Sequence, residues 1–330
     1  MHKHLVPPAD TAGVDVRDAE WKMEYDVIET LKELGHSVRV LGLDDELGGI
    51  RATAGLFKPH IVFNLMEAFA GITTFDQNVV SYLELLRLAY TGCNPRGLIL
   101  ARDKALSKKL LAYHRIGVPD FTVVRHGRHP KLARRMRFPM IVKSLFFEAS
   151  AGISQASVVE NDEQLERRVQ FIHESLGTAA IVEQFIDGRE LYVGVIGNER
   201  LDVLPVWEMS FDQMADNRWR IATERVKWST QYQKRHGIMT AAAALHRDVA
   251  ARIQHIARRT YRALDLSGHA RIDLRMDDEG RIYVLEANPN PNLAYGEDFA
   301  ESAEREGVSY ERLLERILRL GLRWEPARTG

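Results

Sequence analysis

The chain reads as α/β, with α+β in parts, and three features of the sequence predict this class. Apolar runs of strand length alternate with amphipathic stretches of helical length through the first hundred residues. Short strands and loops of small residues then replace that alternation. In the last third, alternating strands share the sequence with two long helical patterns.

Residues 20–34, EWKMEYDVIETLKEL, carry Val27, Ile28, Leu31 and Leu34 at helical spacing and stop at Gly35, a usual residue just past a helix end. HSVRVLGL (36–43) reads as a strand, and HIVFNLM (60–66) is a continuous apolar run of buried-strand type. Residues 75–90 form an amphipathic helix before the turn TGCNP, so the opening third predicts a parallel sheet covered by helices. Residues 103–117 read as a further helix, 138–144 (FPMIVKS) as a strand and 144–155 as a loop. Residues 179–197 hold two strands broken at Asp187–Gly188. The strands LDVLPVWEM, HARIDLRM and RIYVLEAN follow, with one helix over about 239–264 and a closing one, SYERLLERILRLGL. No repeat appears, and composition divides the chain into 1–100, 101–185 and 186–330.

Composition restricts the partner. A hydrophobic content of 45% is that of a globular chain, and Lys+Arg 45 against Asp+Glu 46 leaves no basic excess for nucleic acid or an anionic membrane. The single cysteine, Cys93, excludes an intrachain disulfide framework and a cysteine-built zinc site. It sits in a turn with no histidine beside it, which argues against a thiol nucleophile. His2 and His4 belong to an N-terminal stretch with no signal-peptide core, and no run approaches a membrane span. A cytoplasmic protein acting on small molecules is expected.

The stretch RIDLRMDDEGRIYVLEANPNPN (271–292) carries the chemistry. With a turn on DEGR (278–281), an antiparallel hairpin sets 277 opposite 282, Asp273 opposite Glu286 and Arg271 opposite Asn288. Those four side chains then share one face, and Ile272, Leu274, Leu285 and Ala287 the other. Facing carboxylates destabilise a sheet unless a cation lies between them. Two carboxylates and an amide suit Mg²⁺, which takes its remaining ligands from water and phosphate.

RID followed by LEANPNPN, with thirteen residues from aspartate to glutamate, resembles the metal signature of the ATP-grasp superfamily, most closely the D-alanine:D-alanine ligases. YTGCNPRGLILARDKALSKKLL, FPMIVKS, IVEQFIDGRE and the LP at 204–205 match upstream in the same order. The resemblance implies an ATP-grasp fold: an N-terminal Rossmann-like α/β domain, a central lid domain and a C-terminal catalytic domain. It implies ATP with Mg²⁺, two ions by analogy and Mn²⁺ as a substitute, and a possible homodimer.

Residue by residue, the resemblance assigns Asp273, Glu286 and Asn288 to the metal, and Lys104 and Lys143 to the phosphates. Glu183 and Gln184 fall in the adenine hinge, Glu190 at the ribose. Ser150 in the small-residue loop and Lys227 in ERVKWS are further phosphate contacts. Arg271 matches the donor to the tetrahedral oxyanion, and Asn292 stands where relatives supply a glycine N–H. The implied reaction is ADP-forming: a carboxylate takes the γ-phosphate and an amine displaces it. A synapsin-like nucleotide-binding regulator without turnover is the competing reading.

Relatives begin with a buried strand, but here only HLV precedes Pro7–Pro8, and proline cannot donate to a central ladder. The first sheet is therefore expected to lack its first strand, or the natural chain to start upstream of Met1. Two acceptor positions also depart: a family histidine is Glu67 and a family serine is Glu297. With Asp298 and Glu301 beside the second, an acceptor carboxylate would be repelled, which points away from D-alanyl-D-alanine and toward a cationic or uncharged acceptor.

Overall fold

In the computed structural model, residues 1–326 are described apart from 133, 135, 148–151, 212–213 and 215–217, with the side chains of 227, 228 and 230 also set aside. Five helices come first: α1 (Lys22–Glu33), α2 (Gly48–Phe57), α3 (Asp76–Leu85), α4 (Pro95–Arg102) and α5 (Lys104–Tyr113). A four-stranded sheet follows, ordered β1-β4-β2-β3, from β1 (Phe121–Val124), β2 (Met140–Ser144), β3 (Val158–Val159) and β4 (Ala180–Gln184). Helix α6 (Asp162–Leu176) packs on it.

The second sheet has five strands in the order β7-β6-β5-β8-β9: β5 (Arg189–Ile196), β6 (Asp202–Phe211), β7 (Ile238–Ala242), β8 (His269–Met276) and β9 (Ile282–Pro289). Helices α7 (Glu224–Trp228), α8 (Thr230–His236), α9 (Arg247–Ala263), α10 (Asp298–Arg305) and α11 (Tyr310–Leu322) complete the chain. The largest core cluster joins Leu98 and Leu111 of the helical third to Leu191, Ile272 and Leu274 of this sheet and Ile253 of α9.

Three expectations are corrected. Every pairing between named strands is antiparallel; among the described residues parallel pairing survives only as the isolated bridges His2↔Leu43 and Val62↔Tyr90. Residues 36–43 and 60–66 are extended but form no named strand, because strand structure needs a hydrogen-bonded neighbour as well as an apolar run. A cavity of about 820 Å³ separates the two segments, lined by Val38, Val40, Ile61 and Phe63 among others. Residues 3–5 form a 3₁₀ turn beside it. The helix expected over 239–264 begins at Arg247, since Ile238–Ala242 pair with β6.

The β8–β9 hairpin keeps the expected pairs Arg271↔Asn288 and Asp273↔Glu286, then shifts. Leu274 faces Val284 and Met276 faces Ile282, so 277 does not face 282, and Leu285 is an extra residue in a bulge. Instead of joining the apolar face, Leu285 lines the same groove as Glu286. Between β4 and β5, Gly188 has φ 139°, and a Cβ there would meet the Met276 carbonyl oxygen, so glycine is required at the expected break.

Candidate active site

The sheets meet at a groove walled by Lys104, Lys143, Glu183, Gln184, Glu190, Asp273 and Glu286, with Ile141, Phe185, Ile221 and Ala222 as its apolar lining. Local sequence explains how each polar group arrives. Asp103 caps α5 by accepting from the N–H groups of Ala105 and Leu106, so the helix starts at Lys104 and aims it inward. Lys104 Nζ donates to the Phe147 carbonyl at 2.8 Å and lies 3.7 Å from Glu286 Oε2. One helical turn later, Lys108 points the same way.

Strands β2 and β4 bring Lys143 and Glu183 together: Lys143 Nζ donates to Glu183 Oε2 at 3.1 Å, and Lys108 Nζ lies 3.2 Å from Oε1. Burial disfavours the Glu183 carboxylate, but Lys108 and Lys143 outweigh it and hold its pKa below the ordinary value. Burial likewise pulls Lys143 down, while Glu183 and Glu286 hold it above normal. Burial wins at Lys104 and Lys108, whose ammonium groups sit below the ordinary range. Lys104 and Lys143 bring two ammonium groups to a groove that also holds Glu183, Glu190, Asp273 and Glu286, and paired ammonium groups suit a polyphosphate.

Glu190 accepts from Arg275 at 2.8 Å and from the Tyr192 hydroxyl at 2.9 Å. Gln184 donates to the Pro139 carbonyl at 3.2 Å. Asp273 is 4% exposed and gripped by Arg271, whose guanidinium also stacks over Tyr192, 4.7 Å from the ring centroid. Burial works against the Arg271 charge, yet Asp273 and Asp298 hold its pKa above the ordinary value. Among the described residues, no three of His, Cys, Asp and Glu gather in a metal-holding group, but the expected set has only two carboxylates. Its third member fits: Asn288 Nδ2 is buried with no hydrogen-bond partner, so the amide is unsatisfied without a ligand and can turn its oxygen to a cation.

Asn292 is exposed, its side chain accepting from the Ala294 N–H at 2.9 Å. Left-handed backbone occurs two residues earlier, at Asn290 (φ 53°), whose side-chain oxygen accepts from the Cys93 N–H. Cys93 is buried, and burial pushes its thiol up to about 12, which makes it inert. Glu67 is exposed after residues 60–66, while Glu297 precedes α10 and Asp298 begins it, 3.9 Å from Arg271. Ser150 and the Lys227 side chain lie outside the described residues. Sequence reasoning missed Lys108 and Arg275; only the helical offset from Lys104 and the alternation along β8 pointed to them.

The family described as D-ala D-ala ligase C-terminus matches residues 110–319. An uncharacterised protein of Sinorhizobium fredii is 31% identical over 300 residues, 88% of this chain and 85% of its own. A D-alanine–D-alanine ligase of Desulforudis audaxviator is 28% identical over 298 residues, covering 89% and 84%. The D-alanine–D-alanine ligase of Bacillus anthracis, solved in complex with ATP, superposes with a TM-score of 0.74 over 91% of both chains at 21% identity. No helix among the described residues is long and apolar enough to cross a membrane. With well over half of its length matched by that family and its fold superposing on a solved member, the chain belongs to the D-alanine–D-alanine ligase family, ATP-grasp enzymes that form C–N bonds.

Proposed function

We propose that the protein is an ADP-forming carboxylate–amine ligase that builds an amide or peptide bond on an amino acid or small peptide through an acylphosphate, and that D-alanyl-D-alanine is not its product. The observation that carries this reading is the pair Asp273 and Glu286 on facing strands, at a groove whose opposite wall presents Lys104 and Lys143. ATP and Mg²⁺ are its cofactors. Asp273, Glu286 and Asn288 would hold Mg²⁺, which when bound neutralises the phosphates in transfer.

Adenine fits the apolar slot of Ile141, Phe185 and Ile221, with Glu183 and Gln184 at its edge and Glu190 near the ribose. Lys104 and Lys143 orient the polyphosphate, as do Ser150 and Lys227 in this reading. The carboxylate oxygen attacks the γ-phosphorus and the bond to ADP breaks; the amine nitrogen then attacks the acyl carbon and phosphate leaves. Arg271, with Asn292 at the chain turn, donates to the oxyanion that forms between those events.

The acceptor end is acidic. Asp26, Asp273, Glu297 and Asp298 lie around two cations, Lys22 and Arg271, with Lys22 Nζ already 2.7 Å from Asp26. Desolvation, and then Asp298, push the Glu297 carboxyl up. A carboxylate-bearing acceptor would add a like charge there; a cationic or uncharged one would not.

The test is a screen of amino acids, peptides and amines for ATP-dependent phosphate release, with mass spectrometry of the product. An amide product with a non-carboxylate acceptor is expected. D-alanyl-D-alanine as the best product would overturn the substrate reading, and nucleotide binding without turnover on any pair would favour a regulatory protein.

A further inference from the structure

We infer that Lys108 is a positioning residue, which sets the adenine end of the groove by holding Glu183 of one sheet and the Leu285 bulge of the other from a single point on α5. The inference rests on a nucleotide occupying the groove. Lys108 is 1% exposed and, unlike Lys104, Lys143 and Glu183, does not line the groove. A substrate therefore does not touch it.

Burying an ammonium is costly unless its surroundings compensate, so the contacts that hold it report its role. There are two. Its Nζ lies 3.2 Å from Glu183 Oε1, and it donates to the Leu285 carbonyl. Glu183 sits in β4 of the four-stranded sheet and Leu285 in β9 of the five-stranded one, so the two anchor points belong to opposite walls. Leu285 is the bulge residue, its carbonyl accepts from Lys108, and the next residue is Glu286.

The division of labour along α5 follows. Lys104, one turn earlier, reaches Glu286 and the Phe147 carbonyl at the phosphate end. Lys108 reaches the deep side of Glu183, whose other oxygen meets Lys143. Removing the Lys108 charge leaves Glu183 held from one side only, free to swing toward Lys143 and out of register with the base.

Calorimetric binding of adenosine and ADP to wild type, Lys108→Met, Glu183→Gln and the double variant tests this. Lys108→Met should weaken adenosine and ADP by the same factor, roughly 10- to 100-fold, the loss usual for outer partners of a binding group. In the Glu183→Gln background, where the carboxylate that Lys108 faces is already gone, the further change should stay within about threefold, because the two residues act as one unit. ADP weakened with adenosine unaffected would make Lys108 a phosphate ligand and overturn the inference. So would full additivity in the double variant, or unchanged binding in folded Lys108→Met. If Lys108→Met does not fold, the neutral double variant compared with Glu183→Gln decides it. Wild type that binds neither compound would instead sink the nucleotide reading itself.

Discussion

Arg271 closes on Asp273 with both arms of its fork, Nε at 2.8 Å from Oδ1 and Nη2 at 3.0 Å from Oδ2. The proposed reaction asks both residues to do something else, one to bind Mg²⁺ and the other to donate to an oxyanion. In that reaction the fork would open as the metal and substrates enter, and the two residues would exchange each other for those ligands.

Asp273→Asn and Glu286→Gln should each lower ADP formation by at least about a hundredfold, since a metal ligand is lost. Neither removes volume from the core, but Asp273→Asn breaks the buried fork with Arg271, so its melting temperature should fall, while Glu286→Gln, whose Lys104 partner is 3.7 Å away, should change less. Turnover and melting on the same preparations check this; near wild-type turnover in both variants would remove the metal assignment.

Arg271→Met should reduce kcat by roughly 100- to 1000-fold, the range found when one oxyanion donor is deleted, with the KM for ATP changed by less than about threefold. Steady-state kinetics separate the two parameters. A rise in KM alone would place Arg271 in nucleotide binding instead.

Glu297→Ser should shift the acceptor preference toward free amino acids over their amides or decarboxylated amines by about tenfold in kcat/KM, because it removes a like charge facing the acceptor carboxylate. Competition assays on matched pairs read the ratio. A wild type that already prefers acceptors with free carboxylates, unaltered by the substitution, would refute the acceptor assignment and leave the ligase intact.

Glu24 on α1 is 1% exposed, and neither carboxylate oxygen has a hydrogen-bond partner. Burial, with Glu67 adding to it, pushes its pKa from 4.5 up to about 7. The folded state thus holds the proton more tightly than the unfolded state. Nothing is lost below pH 4.5, and stability falls as pH rises from there through 7. The stabilisation given by Glu24→Gln should be on the order of 2 kcal/mol larger at pH 8 than at pH 5. Denaturant titrations at the two pH values measure the difference; an equal effect at both would disprove the shift.

The site was more legible than the fold that holds it. Asp273, Glu286, Arg271 and Asn288 could be placed because alternation and a turn fix which residues face each other, and those rules are local. The Leu285 bulge was not legible, since its carbonyl accepts from Lys108, 177 residues away, and no local pattern names such a partner. Lys108 itself looked like any helix-surface lysine, because burial of a charge is decided by partners from other elements. Residues 36–43 and 60–66 had the composition of strands and lacked only neighbours, which composition does not encode. The left-handed Asn290 was not legible either, since its side-chain oxygen accepts from the Cys93 N–H, a partner far away in the sequence.

The cavity beside residues 36–43 makes the protein uneven in time as well as in space. Among the described residues, no backbone N–H from 37 to 42 donates a hydrogen bond, whereas β5 and β8 pair along their whole length beneath the groove. Solvent deuterium should label the first segment almost as fast as an open peptide, and reach the central strands only when the whole chain unfolds. Binding a nucleotide would slow exchange in β2, β4 and β8 and leave that segment as fast as before. This layer would thus act as an internal clock against which occupancy of the groove can be read.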